Sequence, residues 1–225
     1  MGFGNSFGIS SETNNNIQTD GLSAYWDAAY KKSYPRSGTA WTDLAGSTDL
    51  TFSGATFDSA YPAINFDGSN DTITCSSINC GSIWSQQCYF RPTNQSSGGY
   101  GYFNLGWNAI SEGGAIDGVT KRLYIYNGDA QNISDSTFET DIWYNIAWVF
   151  NTTDNTIKVY VNGVLDKTTS INGTFDFTTF TGLGRYTGTT HSLNGKLANF
   201  IIYNRELSAS EVLQNYNAQK QRFGL

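Results

Sequence analysis

Residues 142–165 read IWYNIAWVFNTTDNTIKVYVNGVL, and no other stretch narrows the possible folds so much. In TIKVYV, Ile157, Val159 and Val161 alternate with Lys158 and Tyr160, the period-two pattern of a strand with one buried face. Upstream, Ile142, Tyr144, Ile146, Trp148 and Phe150 share a face by the same period. Asn162-Gly163 then supplies the two positive φ angles that a type I′ turn requires. The chain is expected to double back here as an antiparallel hairpin, with its next strand starting at Val164-Leu165.

The same punctuation recurs along the chain. In LSAYWDA, Leu22, Ala24 and Trp26 fall on one face; AINF (63–66), DGSND and TITC (72–75) read as strand, turn, strand. QCYF (87–90), YFNL (102–105) and RLYIY (122–126) are further short strands between Gly, Asn and Ser clusters. Short strands with turn signals every ~8–12 residues predict an all-β sandwich or jelly roll, and no internal repeat suggests a propeller. A chain of 225 residues suits one such domain.

Composition removes several function classes. Only 14% of residues are charged and the net charge is −6; Lys31-Lys32 and Lys121-Arg122 are the only basic doublets, so nucleic acid is excluded as a partner. The start, MGFGNSFGISSETNNN, lacks a basic-then-apolar leader, and no run approaches the ~18 apolar residues of a membrane span. Cys75, Cys80 and Cys88 contain no C-x-x-C pair; they read as reduced thiols, with a Cys75–Cys80 bridge as the alternative.

One helix is expected, near the end. In IIYNRELSASEVLQNY (201–216), Ser208 and Glu211 form a capping box, and Leu207 with Val212 fits the hydrophobic staple. A helix over 208–217 is too short to persist alone, so the stripe of Val212, Leu213 and Tyr216 should dock it on the sheet.

WYNIAWVFNTTDNTIKVYVNGVL (143–165), GLGRY (182–186) and LNGKLANFIIYNRELSASEVLQNYNAQK (193–220) resemble the closing half of a concanavalin A-like lectin/laminin G-like domain. GLSAYWDAAYKKSYPRSGTAWTDLAG (21–46) and INFDGSNDTITC (64–75) resemble that family's entry strand and its FDG-containing hairpin. The resemblance implies a two-sheet antiparallel jelly-roll sandwich over residues 21–217, with 1–20 an arm and 218–225 a tail. It also implies rim loops that bind glycans or proteins, sometimes through Ca²⁺, although other members are hydrolases. The SYPRSGTAWTDL opening and NYNAQKQRFG ending resemble versions in tailed-phage virion proteins.

The candidate chemistry is sparse. Glu139–Asp141 is the only acidic pair at i, i+2, and it precedes a strand where a solvated turn is the simpler reading, so no enzyme is expected. Asp67, Asn70 and Asp71 are the metal candidates, for Ca²⁺, against ordinary turn chemistry. Tyr100, Tyr102, Trp107, Tyr186 and His191 are the glycan-binding candidates, as aromatic platforms and their polar neighbours.

Taken together these readings predict a non-enzymatic virion structural protein, a capsid decoration protein or head fibre, located in the virion and made in a host cytoplasm. A tail or neck appendage is the next placement, a carbohydrate-binding adhesin module that recognises host-surface glycans is the alternative, and a glycoside hydrolase comes third. Phe3, Phe7 and Ile9 are spaced by small and polar residues, so residues 1–20 are expected to anchor on a capsid protein or another copy of the chain. Replacing Ser208 by Ala removes the helix cap and should cost about 0.5–2 kcal/mol in thermal or denaturant unfolding; an unchanged midpoint would place the helix start elsewhere.

Overall fold

A computed structural model of the chain describes residues 16–93, 101–103, 112–127, 130–172, 179–183 and 193–225. Its largest sheet runs β14 (Val164–Ser170), β13 (Thr156–Val161), β12 (Tyr144–Asn151), β7 (Ile83–Pro92), β16 (Asn194–Tyr203), β5 (Ala63–Asp67) and β4 (Thr56–Asp58). The long β16 carries β5 along its first half and β1 (Leu22–Asp27) along its second. A second sheet orders β15 (Thr179–Leu183), β6 (Thr72–Asn79), β3 (Leu50–Ser53) and β2 (Ala40–Trp41). A third orders β11 (Ala130–Asn132), β10 (Leu123–Asn127), β9 (Glu112–Ile116) and β8 (Gly101–Phe103). All these pairings are antiparallel. The expected all-β sandwich is the fold.

The main core lies between the large sheet and the two smaller ones. Trp84, Trp148, Phe150 and Phe200 from the large sheet meet Phe52, Ile73, Phe180 and Leu123 from the others. The hairpin forms as its sequence demands: Val161 faces Val164, and Asn162 and Gly163 have φ of 51° and 79°. A Cβ on Gly163 would meet Leu213 and Tyr216 at 2.9 Å, so the turn also needs glycine for clearance beneath the helix.

Four local expectations change. Leu22 leaves the face of Ala24 and Trp26 because a bulge between Leu22 and Ala24 breaks the alternation, and Leu22 packs beside Tyr25 instead. The FDG-containing segment is no hairpin: β5 joins the large sheet and β6 the second, so residues 68–71 cross between layers. Tyr160, read as solvent-facing, is buried with Ala147 and Val149. The helix α1 (Ala209–Gln219) docks differently too, burying Val212, Asn215 and Gln219 while Leu213 is 42% exposed. The last two changes share one cause. The outer face of the large sheet is covered in its middle by the C-terminal segment, so β7, β12 and β16 are buried on both faces, with buried polar residues such as Gln87, Asn145 and Asn199 among the apolar ones.

Under α1 the contact is largely polar. Asn215 Nδ2 donates to Gln87 Oε1 (2.9 Å) and to the Tyr203 hydroxyl (3.0 Å), while its Oδ1 accepts the Gln18 N–H (2.7 Å). Gln87 Nε2 donates to Asn145 Oδ1 at 2.7 Å. Gln219 accepts from Asn199 Nδ2 and donates to the Tyr25 hydroxyl (3.0 Å), which donates to Asp27 Oδ2 (2.9 Å). Arg222 closes the chain of bonds with a two-pronged pair onto Asp27, at 2.6 and 2.9 Å; Asp27 is 0% exposed. Residues 218–225 are therefore part of the packed domain rather than a tail. Residues 16–20 likewise pack on their own chain: Gln18 bonds Gln214 and Tyr203, and Arg205 bonds the Asp20 carbonyl. Phe3, Phe7 and Ile9 lie outside the described residues.

The cap forms as expected. Ser208 Oγ accepts the Glu211 N–H, Glu211 Oε2 accepts the Ser208 N–H at 2.8 Å, and both Leu207 and Val212 are buried. Arg205 grips the same carboxylate with two nitrogens at 2.7 and 3.0 Å. That pair, with the Ser208 bonds, outweighs partial burial and holds the Glu211 carboxyl down at about 2. The three thiols are free; burial pushes Cys75 and Cys80 up to about 12 and raises Cys88 as well.

Two outcomes follow for stability. Arg222→Ala strands a buried carboxylate and should cost about 3–5 kcal/mol in urea unfolding; a loss below 1 kcal/mol would show that water replaces the guanidinium. Because the folded Glu211 carboxyl titrates below its ordinary 4.5, its contribution is present above about pH 4.5 and is lost as pH falls toward about 2. Melting curves across that window should flatten in Glu211→Gln relative to the parent.

Candidate functional site

Most of the residues singled out from sequence lie outside the described residues. Tyr100, Trp107, Tyr186 and His191 lie outside the described residues, as does the side chain of Tyr102 on β8. Glu139 and Asp141 are exposed turn residues: the Glu139 N–H bonds the Tyr144 hydroxyl, and Asp141, at a φ of 64°, pairs with Arg91.

The Asp67, Asn70, Asp71 group serves the crossing between sheets. Asp71 is 3% exposed, its Oδ2 accepts the Asp67 N–H at 2.8 Å, and burial raises its carboxyl. Asp67 Oδ1 accepts the Ser69 N–H at 2.8 Å. Asp71 and Asp67 each give a carboxylate oxygen to a backbone N–H, which is the ordinary turn chemistry weighed against Ca²⁺ and its six to eight oxygens. Among the described residues no group of three or more His, Cys, Asp and Glu side chains is placed to share a metal.

A different cluster stands out on the outer face of the large sheet, beside the C-terminal residues. Lys196 on β16 lies directly across from Arg91 on β7 and from Asn65 on β5. Alternation sends the Lys196 and Arg91 side chains outward, away from the core that holds Leu197 and Phe90. The turn of the β4–β5 hairpin folds Tyr61 over both: the Arg91 guanidinium carbon is 5.1 Å, and Lys196 Nζ 5.3 Å, from the ring centroid. Asp58 holds that turn, taking the N–H groups of Ala60 (2.8 Å) and Tyr61 (3.4 Å) on Oδ1 and Lys196 on Oδ2. Burial alone would raise the Asp58 carboxyl, but Lys196 and the two N–H groups offset this and keep it below its ordinary range.

Beneath Tyr61 the support comes from the end of the chain. Phe223 stacks on Tyr89 (4.2 Å between centroids) and packs on Trp143 (4.7 Å), whose ring lies 6.1 Å from that of Tyr61. Trp143 is 6% exposed and its indole N–H has no acceptor among the described residues. Arg91 Nε donates to the Asp141 carbonyl and Nη2 pairs with its carboxylate, both at 3.0 Å. The result is an aromatic ring, 43% exposed, held on two cations and bordered by two carboxylates. Sugars are recognised by this combination: a C–H face stacks on the ring while donors and acceptors at its edge bond the hydroxyls. By contrast, the open cleft between Asn16 and α1, lined by Ser210, Leu213, Gln214 and Asn217, offers neither an aromatic ring nor a charge.

Sequence reasoning passed over Tyr61, Arg91 and Lys196. The one local hint is Tyr61-Pro62 in the turn before AINF; the juxtaposition of Arg91 and Lys196 depends on strand register across more than a hundred residues.

Residues 65–213 match the family described as the concanavalin A-like lectin/glucanases superfamily. Trypanosoma rangeli sialidase in complex with the inhibitor DANA superposes with a TM-score of 0.68 at 16% identity, over 92% of this chain and 34% of that one. The chain thus spans about a third of the sialidase's length. Domain 4 of AbnA, an extracellular arabinanase from Geobacillus stearothermophilus, in complex with arabinotriose, superposes with a TM-score of 0.65 at 14% identity, over 87% of this chain and 98% of that one. No curated protein matches the chain in sequence. At such identities the likeness is one of fold. These matches overturn the expectation of a virion structural protein: a sialidase and an arabinanase domain are among the structures that share the fold, and they support neither a decoration nor a head-fibre role. Among the described residues no helix is long and apolar enough to cross a membrane.

Proposed function

The chain belongs to the concanavalin A-like lectin/glucanases superfamily, and from that premise we propose that it is a carbohydrate-binding module without hydrolase activity. The observation that carries this reading is Tyr61, an exposed ring fixed in orientation by Arg91, Lys196 and Trp143. A ring held in one orientation loses little freedom when a sugar stacks on it, so more of the contact energy appears as affinity. Asp58, Asp141 and the cations beside it supply fixed acceptors and donors for hydroxyl groups. The arabinanase domain, which has nearly the extent of this chain, was solved with arabinotriose, and that supports a sugar as the ligand class.

Hydrolysis would need two carboxyl groups facing each other across a scissile bond. The one acidic pair at i, i+2 in the sequence is Glu139 and Asp141, and Asp141 is engaged by Arg91. The acids around Tyr61 act as hydrogen-bonding and positioning groups in this reading.

Calorimetric titration of the purified chain with neutral and acidic oligosaccharides tests the proposal. Tyr61→Ala should weaken binding of whichever sugar is recognised by at least about tenfold, while changing stability by less than about 1 kcal/mol. Equal affinity in the variant would move the site elsewhere, with substitution of Tyr100, Trp107 and Tyr186 as the next step. Release of reducing sugar that Glu139→Gln abolishes would make the protein an enzyme.

A further inference from the structure

Resting on the carbohydrate reading, we infer that the Tyr61 surface selects uncharged sugars and rejects acidic ones. Each cation beneath the ring has its own carboxylate. Lys196 Nζ is paired with Asp58, and both side chains are mostly buried. Arg91 points Nε and Nη2 at the carbonyl and carboxylate of Asp141, a residue whose positive φ and N–H bond to the Pro92 carbonyl (2.7 Å) hold it in place. Two cations and two carboxylates leave the cluster without net charge, on a chain that carries −6.

The pairing decides which ligand fits. A sugar carboxylate offers only acceptors and needs a free cation, ideally an arginine presenting two parallel N–H groups. Here the arginine edge that could do this already faces Asp141 Oδ1 at 3.0 Å, and the Asp141 side chain is 58% exposed, standing where an incoming anion would be repelled. A hydroxyl both donates and accepts. It can give its proton to a carboxylate oxygen of Asp58 or Asp141 and take one from Arg91 or Lys196 without breaking either pair. Likeness of fold to a sialidase therefore does not extend to a preference for sialic acid at this surface.

Matched pairs of probes give the test, using the full chain. Lactose is compared with 3′-sialyllactose, and neutral arabino-, xylo-, gluco- and galacto-oligosaccharides with oligogalacturonate. A neutral sugar should bind, its acidic counterpart should bind at least about tenfold more weakly, and raising salt from about 0.05 to 0.5 M should change the neutral affinity less than about twofold. Asp141→Asn removes the negative charge that balances Arg91 and faces an incoming anion, and the gap between neutral and acidic probes should narrow at least about threefold. An acidic probe that binds as tightly as its neutral counterpart, and loses binding in Tyr61→Ala, overturns the selectivity while the carbohydrate reading stands. An unchanged gap in Asp141→Asn also overturns it, since the ion pair would then not be its cause. Binding of no probe at all overturns the carbohydrate reading and the selectivity with it.

Discussion

Asp27 sits on the outward side of β1 with no exposure, and its partner Arg222 arrives from 195 residues further along the chain. A carboxylate so placed is costly to bury unless its charge and lone pairs are met. Arg222 meets the charge, while the Tyr25 hydroxyl and the Ala29 N–H take further lone pairs. Such a pair adds less net stability than apolar packing of equal volume, but it is intolerant of misplacement. The C-terminal residues have one site on the sheet at which Arg222 finds its partner, and that site sets the position of what precedes and follows it. Gln219 is brought to Asn199 and Tyr25, and Phe223 to the slot between Tyr89 and Trp143.

The amides between α1 and the sheet extend the same logic. Asn215, Gln87, Asn145, Asn199 and Gln219 are all buried, and each has a partner of its own. An apolar stripe could slide by a turn with modest loss, whereas displacing this helix would strand several amides away from water. Val212 and Leu207 add apolar contact at the capped end, where Arg205 and Glu211 tie the helix start to the loop after β16. The outer face is thereby covered over the middle of the large sheet, and β7, β12 and β16 are buried on both sides along most of their length.

The candidate binding surface is a by-product of that covering. Trp143 is held from below by Phe223 and carries Tyr61 at its side, so the orientation of an exposed ring traces back to the docking of the last residues of the chain. The site lies on the outer face of the large sheet, whereas the resemblance to the family pointed to rim loops. A shared fold leaves function open, which is why the short likeness of the chain's two ends to virion proteins was a poor guide and the side chains around Tyr61 carry the functional argument.

Local signals decided much of the architecture from sequence. Asn162-Gly163 had to be a tight turn because its backbone needs two positive φ angles, and Ser208 with Glu211 had to start a helix because the two groups satisfy each other's N–H; both are interactions of near neighbours. Alternation likewise announced the buried faces of β12 and β13. It misjudged Tyr160, Leu22 and Leu213, where the outcome depended on whether a second layer covered the outer face and where a bulge fell. The link from β5 to β6 looked like a hairpin because a turn is visible locally, while the sheet each strand joins is not. Tyr61, Arg91 and Lys196 were invisible as a group for the same reason. Their meeting is fixed by strand register and by a hairpin folding over its neighbours, which only the tertiary structure decides.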